Sequence, residues 1–197
     1  MSECSSECRA EHCSRPQDEL GVHALHCRDD HGLKGGRHDR IRDKMEGANR
    51  ISQPYIGNAW PHPWVSISPR RRVRPSWIDG KKVAFDISVV SPTQDAIIHR
   101  AAELPAAAIE MRKNSKNRDH FNNCRAQGIG FLPLVVETFG GWDSEAVKHL
   151  KNMAKLCARR WGKISADEIK HFFQRLSVAL QRGNAALLIE RDLPPDI

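Results

Sequence analysis

Four of the six cysteines, Cys4, Cys8, Cys13 and Cys27, fall in the first 27 residues together with His12, His23 and His26. Cys13, His23 and Cys27 have the spacing C-x9-H-x3-C. Thiolates and imidazoles on short connections are what a tetrahedral zinc site needs, and such a site can order a segment that has no core of its own. Cys8 is the expected fourth ligand, with Cys4 and His12 competing for the place. The blander alternative is a reduced cysteine-rich tail with incidental histidines. A second point of chemistry is Asp86, one acid inside an alternating apolar run, Val83, Phe85, Ile87 and Val89. That alternation predicts a strand with one buried face and one face able to carry chemistry. Glu110 and Lys113 lie three apart in a helical pattern and so share a helix face.

The elements that must position these residues can be read from local signals. Arg71–Ser91 reads as two strands joined at Asp79-Gly80, a two-residue turn signal because both central positions of a type I′ turn need positive φ. With that turn the strand partners are Ile78/Lys81, Trp77/Lys82 and Ser76/Val83. Before the hairpin, Arg37-His38-Asp39 opens a helix through Ile41 and Met45 to Gly47, with Arg37, Arg40, Arg42 and Lys44 on its exposed side. These cations suit either a phosphate-facing helix or a plain solvated face. Residues 52–70 hold four prolines and two tryptophans, which predicts a connecting segment with a short edge strand at Trp64–Ser68. A helical region spans about Gln94 to Asn117, broken near Pro105, and Phe131–Glu137 is a third strand, with Pro133 at a bulge or edge. Asp143 caps a helix carrying Val147, Leu150, Ala154, Cys157 and Trp161. Ser165 through Glu168 reads as a capping box for a last helix with Ile169, Phe172, Phe173, Leu176 and Leu180 on its buried side. Cys157 reads as core. Mixed strands with helices packed on them predict an α/β (α+β) fold. The expected division is a zinc knuckle over 1–35, a core over 36–141 and a helical extension over 142–197.

Composition narrows the partner. The chain has 197 residues, 31 Lys+Arg against 24 Asp+Glu, a net charge of +7 and 28% charged residues. That balance suits a folded protein with an anionic partner, nucleic acid before membrane. No stretch is apolar enough to span a bilayer, and the N-terminus lacks the apolar core of a secretory signal. The expectation is therefore an intracellular protein, nuclear in a eukaryote, whose cysteines are ligands or free thiols.

Several segments in fixed order resemble the C-terminal part of non-LTR retrotransposon polyproteins, where a zinc knuckle precedes a restriction-like endonuclease. They are Cys13–Cys27 with Gly21-Val22-His23-Ala24-Leu25, Arg37-His38-Asp39, Arg74-Pro75 leading to Asp86-Ile87-Ser88-Val89, Glu110-Met111-Arg112-Lys113, Pro133-Leu134-Val135-Val136-Glu137-Thr138, and Gln181-Arg182-Gly183-Asn184-Ala185. Together they cover about residues 8–190. The reverse transcriptase that precedes this region in the family is not in the sequence, which suggests a freestanding or excised fragment. The resemblance implies a restriction-endonuclease-like PD-(D/E)xK core and a hydrolase that nicks DNA, with RNA as the other candidate partner. It implies zinc in the knuckle and Mg²⁺ or Mn²⁺ at the catalytic carboxylates, where the cation neutralises the scissile phosphate. Asp86 then matches the second acidic position and the magnesium ligand. Lys113 matches the lysine displaced onto the helix after the strand, and Glu110 its neighbouring acid. Arg37, His38, Arg40, Arg71, Arg72 and Arg74 are the expected nucleic-acid contacts.

The sequence departs from the family at the first acidic position, where Ser76-Trp77 follows Arg74-Pro75. Asp79 is a poor substitute, since a place at the hairpin tip puts it roughly 20 Å from Asp86. Glu46 and Glu137 are the other acidic candidates. Without the first acid, the alternative to an endonuclease is a catalytically inactive nucleic-acid-binding module of the same descent. A zinc-stabilised interaction domain is the third reading.

Overall fold

The computed structural model describes Cys13 and residues 22–27, 33–52, 65–68, 71–73, 76–78 and 81–192. In chain order these form α1 (Val22–His26), α2 (Leu33–Ser52), β1 (Val65–Ser68), β2 (Arg71–Val73), β3 (Ser76–Ile78), β4 (Lys81–Val90), α3 (Ile98–Glu103), α4 (Ala107–Ala126), β5 (Gly130–Glu137), α5 (Ser144–Arg160) and α6 (Ser165–Asp192). It is a mixed α/β arrangement in which a small sheet is flanked by helices.

The sheet has the order β3-β4-β5. β3 and β4 pair antiparallel with Ser76 opposite Val83, Trp77 opposite Lys82 and Ile78 opposite Lys81, the register expected from the Asp79-Gly80 turn. Asp79 and Gly80 themselves lie outside the described residues. β2 breaks away from this hairpin and pairs with β1. β4 and β5 run parallel, with Asp86 opposite Pro133 and Val90 opposite Glu137. A parallel pair needs a crossover, and α3 and α4 supply it. Pro133 is accommodated because β5 is an edge of this three-stranded sheet.

Alternation along β4 and β5 sorts their side chains into two layers. Ile87, Leu134 and Val136 pack with Ile41 and Met45 of α2, Leu150 and Met153 of α5, and Phe172, Leu176 and Leu180 of α6. On the opposite face Val90 and Val135 meet Ile97 and Ala107–Ile109, while Ala84 meets Cys124 and Ile129. α4 therefore covers one face of the sheet, and α2, α5 and α6 cover the other.

Helix ends follow local chemistry in two of three cases. The break between α3 and α4 falls at Pro105, with Ala106 left-handed at φ 64°. Asp143 caps α5 by accepting from the Ala146 amide at 2.9 Å. The capping box expected at Ser165 is not formed. Ser165 is the first residue of α6 and the Glu168 amide donates to the Ile164 carbonyl. The Glu168 carboxylate is 1% exposed and pairs with Arg175 at 2.7 Å and Lys163 at 3.5 Å.

Candidate functional site

Asp86 lies mid-strand on the face of β4 that α4 covers, and it is 4% exposed. Lys116, His120 and Cys124 recur every four residues on α4, so they form one stripe directed at the sheet. The Lys116 Nζ donates to Asp86 Oδ2 at 2.6 Å, and the His120 Nε2 lies 3.5 Å from the same oxygen. Lys116 is itself 7% exposed. The His120 ring stands edge-on to Phe131, with centroids 5.6 Å apart. Burial first, and then the Asp86 charge, raise the pKa of the Cys124 thiol. A carboxylate held this way is neutralised by cationic or donor groups inside the core.

The residues expected to join Asp86 do not gather there. Glu110 sits exposed in the first turn of α4, where a negative charge complements the helix dipole. Lys113 turns instead toward the start of α5, 3.0 Å from Asp143 Oδ1 and 2.9 Å from Glu145 Oε2. Burial alone lowers the pKa of its ammonium, but hydrogen bonds to Glu145 and Asp143 outweigh burial and the net shift is upward. The physical reason is helical pitch. Lys113 sits three residues, about 4.5 Å of helix, before Lys116 and so faces the β5–α5 connection rather than the middle of β4. Glu137 lies four residues beyond the register partner of Asp86, roughly 13 Å along the strand. Burial raises its pKa. Glu46 is on α2, in the layer across the sheet, with Arg42 3.8 Å away.

At the N-terminal end, Cys13, His23 and Cys27 do come together. One ligand atom from each lies within 4.8 Å of the others, and Cys13 Sγ is 3.3 Å from His23 Nε2. Ligands about 2.0–2.3 Å from a tetrahedral zinc stand roughly 3.5–3.8 Å apart, so the cluster fits a metal of that size. α1 sets the geometry: one helical turn separates His23 from Cys27, whose amide donates to the His23 carbonyl at 2.8 Å. Lys34 donates to the Cys27 carbonyl. Cys8, Cys4 and His12, the candidates for a fourth ligand, lie outside the described residues.

Arg37 is not on the surface. It is 3% exposed, its Nη1 donates to Asn184 Oδ1 at 2.9 Å and its Nη2 reaches the Leu25 carbonyl at 3.4 Å. Asn184 in turn donates to the Thr138 carbonyl at 2.7 Å and to Gln181 at 3.2 Å. A Cβ on Gly183 would lie 2.5 Å from Arg37 Cγ, so glycine is what lets α6 approach α2 here. Four residues far apart in sequence thus meet at one buried joint: Leu25, Arg37, Thr138 and Asn184. Of the other expected nucleic-acid residues, His38 is half-buried and lies against Asp39 at 3.3 Å. Arg40 is exposed. Arg71 and Arg72 lie in β2, their side chains outside the described set, as is Arg74.

Neither protein-family models nor curated proteins match this chain. Sequence reasoning missed Lys116 and His120, although their spacing with Cys124 was a readable helical stripe. It singled out the segment Gln181–Ala185 but not the contacts of Asn184 with Arg37 and Thr138, which depend on how α6 docks.

Proposed function

We propose that the chain is a nucleic-acid-binding module of the retrotransposon-endonuclease type, in which Asp86 serves the core rather than cleavage. The observation that carries this is what surrounds Asp86: among the described residues Lys116 and His120 stand against it, and Glu46, Glu110 and Glu137 do not gather there. A carboxylate flanked by an ammonium and an imidazole does not fit a divalent cation, which prefers several oxygen ligands. The metal-compatible cluster among the described residues is Cys13–His23–Cys27, and it does not include Asp86. The net charge of +7 supports the binding role. The test is fluorescence anisotropy with labelled DNA and RNA. The expected result is binding whose logarithm falls linearly with log salt, as released counterions require. Unchanged anisotropy with both ligands at low salt would contradict it and favour a structural interaction domain.

In this reading Cys13, His23 and Cys27 hold zinc, whose contribution is to order the N-terminal segment. Protein purified under reducing conditions should carry roughly one zinc per chain, and a chelator should lower its melting temperature. Metal-free protein with the same melting temperature would exclude that role.

One observation favours the endonuclease as a second reading. A strand carboxylate and a lysine from the following helix do meet, with Lys116 in the place expected for Lys113. Mg²⁺- or Mn²⁺-dependent nicking of supercoiled plasmid, lost in both Asp86→Ala and Lys116→Ala, would establish it.

A further inference from the structure

We infer that the groove between α2 and α6 is the phosphate-backbone site of the bound nucleic acid, on the side of the sheet away from Asp86. The inference rests on the binding role proposed above and gives it a location. The groove is open and about 670 Å³ in volume, and it is lined by Arg40 and Lys44 from α2 and by His171, Arg175, Val178 and Arg182 from α6. α2 and α6 are pinned together at Arg37, Gly183 and Asn184, and the groove lies along the helices beyond that pin.

Concavity, with cations from two helices facing one space, separates this surface from an ordinary solvated face. Arg42, on the same helix, is neutralised by Asp39 and Asp43, with Glu46 close by. That engagement also occupies Asp43, the carboxylate among the lining residues. Arg175 is held by Glu168 at 2.7 Å. Among the described residues no carboxylate pairs with Arg40, Lys44 or Arg182. Among the described residues three of the cations that line the groove, Arg40, Lys44 and Arg182, are thus without a carboxylate partner, while Arg175 is paired. Cations left unpaired in a concave surface raise the local positive potential and attract a polyanion.

Length favours a polymer over a single phosphate. His171 and Arg182 are eleven residues apart on α6, about 16 Å along the axis. That distance spans roughly five phosphates of one strand of a duplex, at about 3.4 Å of axis each. DNA and RNA present the same phosphodiester backbone, and the arms of the experiment separate them.

The experiment is anisotropy without added divalent cation, using the full chain with a labelled DNA duplex and, separately, an RNA hairpin. Lys44→Glu/Arg182→Glu should weaken binding at least tenfold on the preferred ligand. Lys44→Ala/Arg182→Ala should lower the salt slope by about 2, close to one unit per lost phosphate contact. Arg118→Glu/Arg125→Glu, an equal charge change on exposed positions of α4, should stay within about twofold of wild type if local contacts rather than net charge set the affinity. All four positions are exposed, and the alanine pair keeps the test open should the reversal disturb folding. Wild-type affinity in both groove variants, or an equal loss in the α4 variant, would overturn the site while leaving the binding role intact. No binding by the wild-type chain would overturn both. Groove-dependent binding accompanied by Mg²⁺-dependent nicking would support the site and overturn the non-cleaving role. Tighter, groove-dependent binding to phosphatidylserine vesicles than to either nucleic acid would also overturn the site.

Discussion

At the scale of single residues, the account turns on what a buried carboxylate is for. Asp86 and Lys116 are 4% and 7% exposed and 2.6 Å apart, so neither charge has much water to fall back on. Removing one partner of such a pair leaves an uncompensated buried charge and typically costs about 3–5 kcal/mol. Replacing both by neutral groups of similar shape is often close to neutral. Asp86→Asn and Lys116→Met should therefore each lower stability by roughly that amount, while the double variant recovers most of the loss. Urea unfolding reads all three. Asp86→Asn as stable as wild type, or more so, would instead mark a carboxylate kept for chemistry at the expense of stability. The choice of Lys113 over Lys116 shows how far sequence reached here. Both lysines lie on the same helix, and three residues of helix decide which meets β4. That depends on where α4 docks on the sheet, a tertiary fact with no local signature.

Among the elements, legibility tracked locality. The β3–β4 register, the break at Pro105 and the Asp143 cap each depend on a few neighbouring residues, and the structure has all three. The Ser165 capping box had the right residue types, but Glu168 gains more from Arg175 and Lys163 than from a backbone amide. That competition is set by packing beneath α6. Burial first raises the pKa of its carboxyl, yet Arg175 and then Lys163 outweigh burial and the net shift is downward. The stability this pair contributes is thus present above the ordinary carboxylate range and is lost as pH falls through the depressed value. The parallel pairing of β4 with β5, across some forty residues of helix and turn, was beyond local reading. The contact of α2 with α6 gives a sharp prediction at this scale. Gly183→Ala gains up to about 1 kcal/mol in helix propensity, but its Cβ would meet Arg37 Cγ at 2.5 Å and Cα at 3.1 Å. Overpacking of that kind costs about 1–3 kcal/mol, so a net fall in melting temperature is expected. Gly47→Ala on α2, where a new Cβ meets nothing within 4 Å, should raise it. Equal gains from both would mean that α2 and α6 do not touch as described.

For the whole molecule, the joint of Leu25, Arg37, Thr138 and Asn184 ties together segments far apart in sequence. They lock the metal-compatible end, the sheet and the last helix into one body, while α4 covers Asp86 on the other face. Cysteine and histidine spacing pointed to a metal-compatible cluster without any tertiary knowledge, because it is a property of residue type and separation, and the structure brings Cys13, His23 and Cys27 together. Whether Asp86 acts on a phosphodiester is not a property of that kind, since it depends on the groups folded against it. The direct measurement is incubation of the full chain with supercoiled plasmid and Mg²⁺ or Mn²⁺, at a salt concentration where binding is saturated. The account predicts plasmid that is retarded on a native gel yet remains supercoiled after the protein is removed. Conversion to open circles by the wild-type chain and not by Asp86→Ala would contradict it.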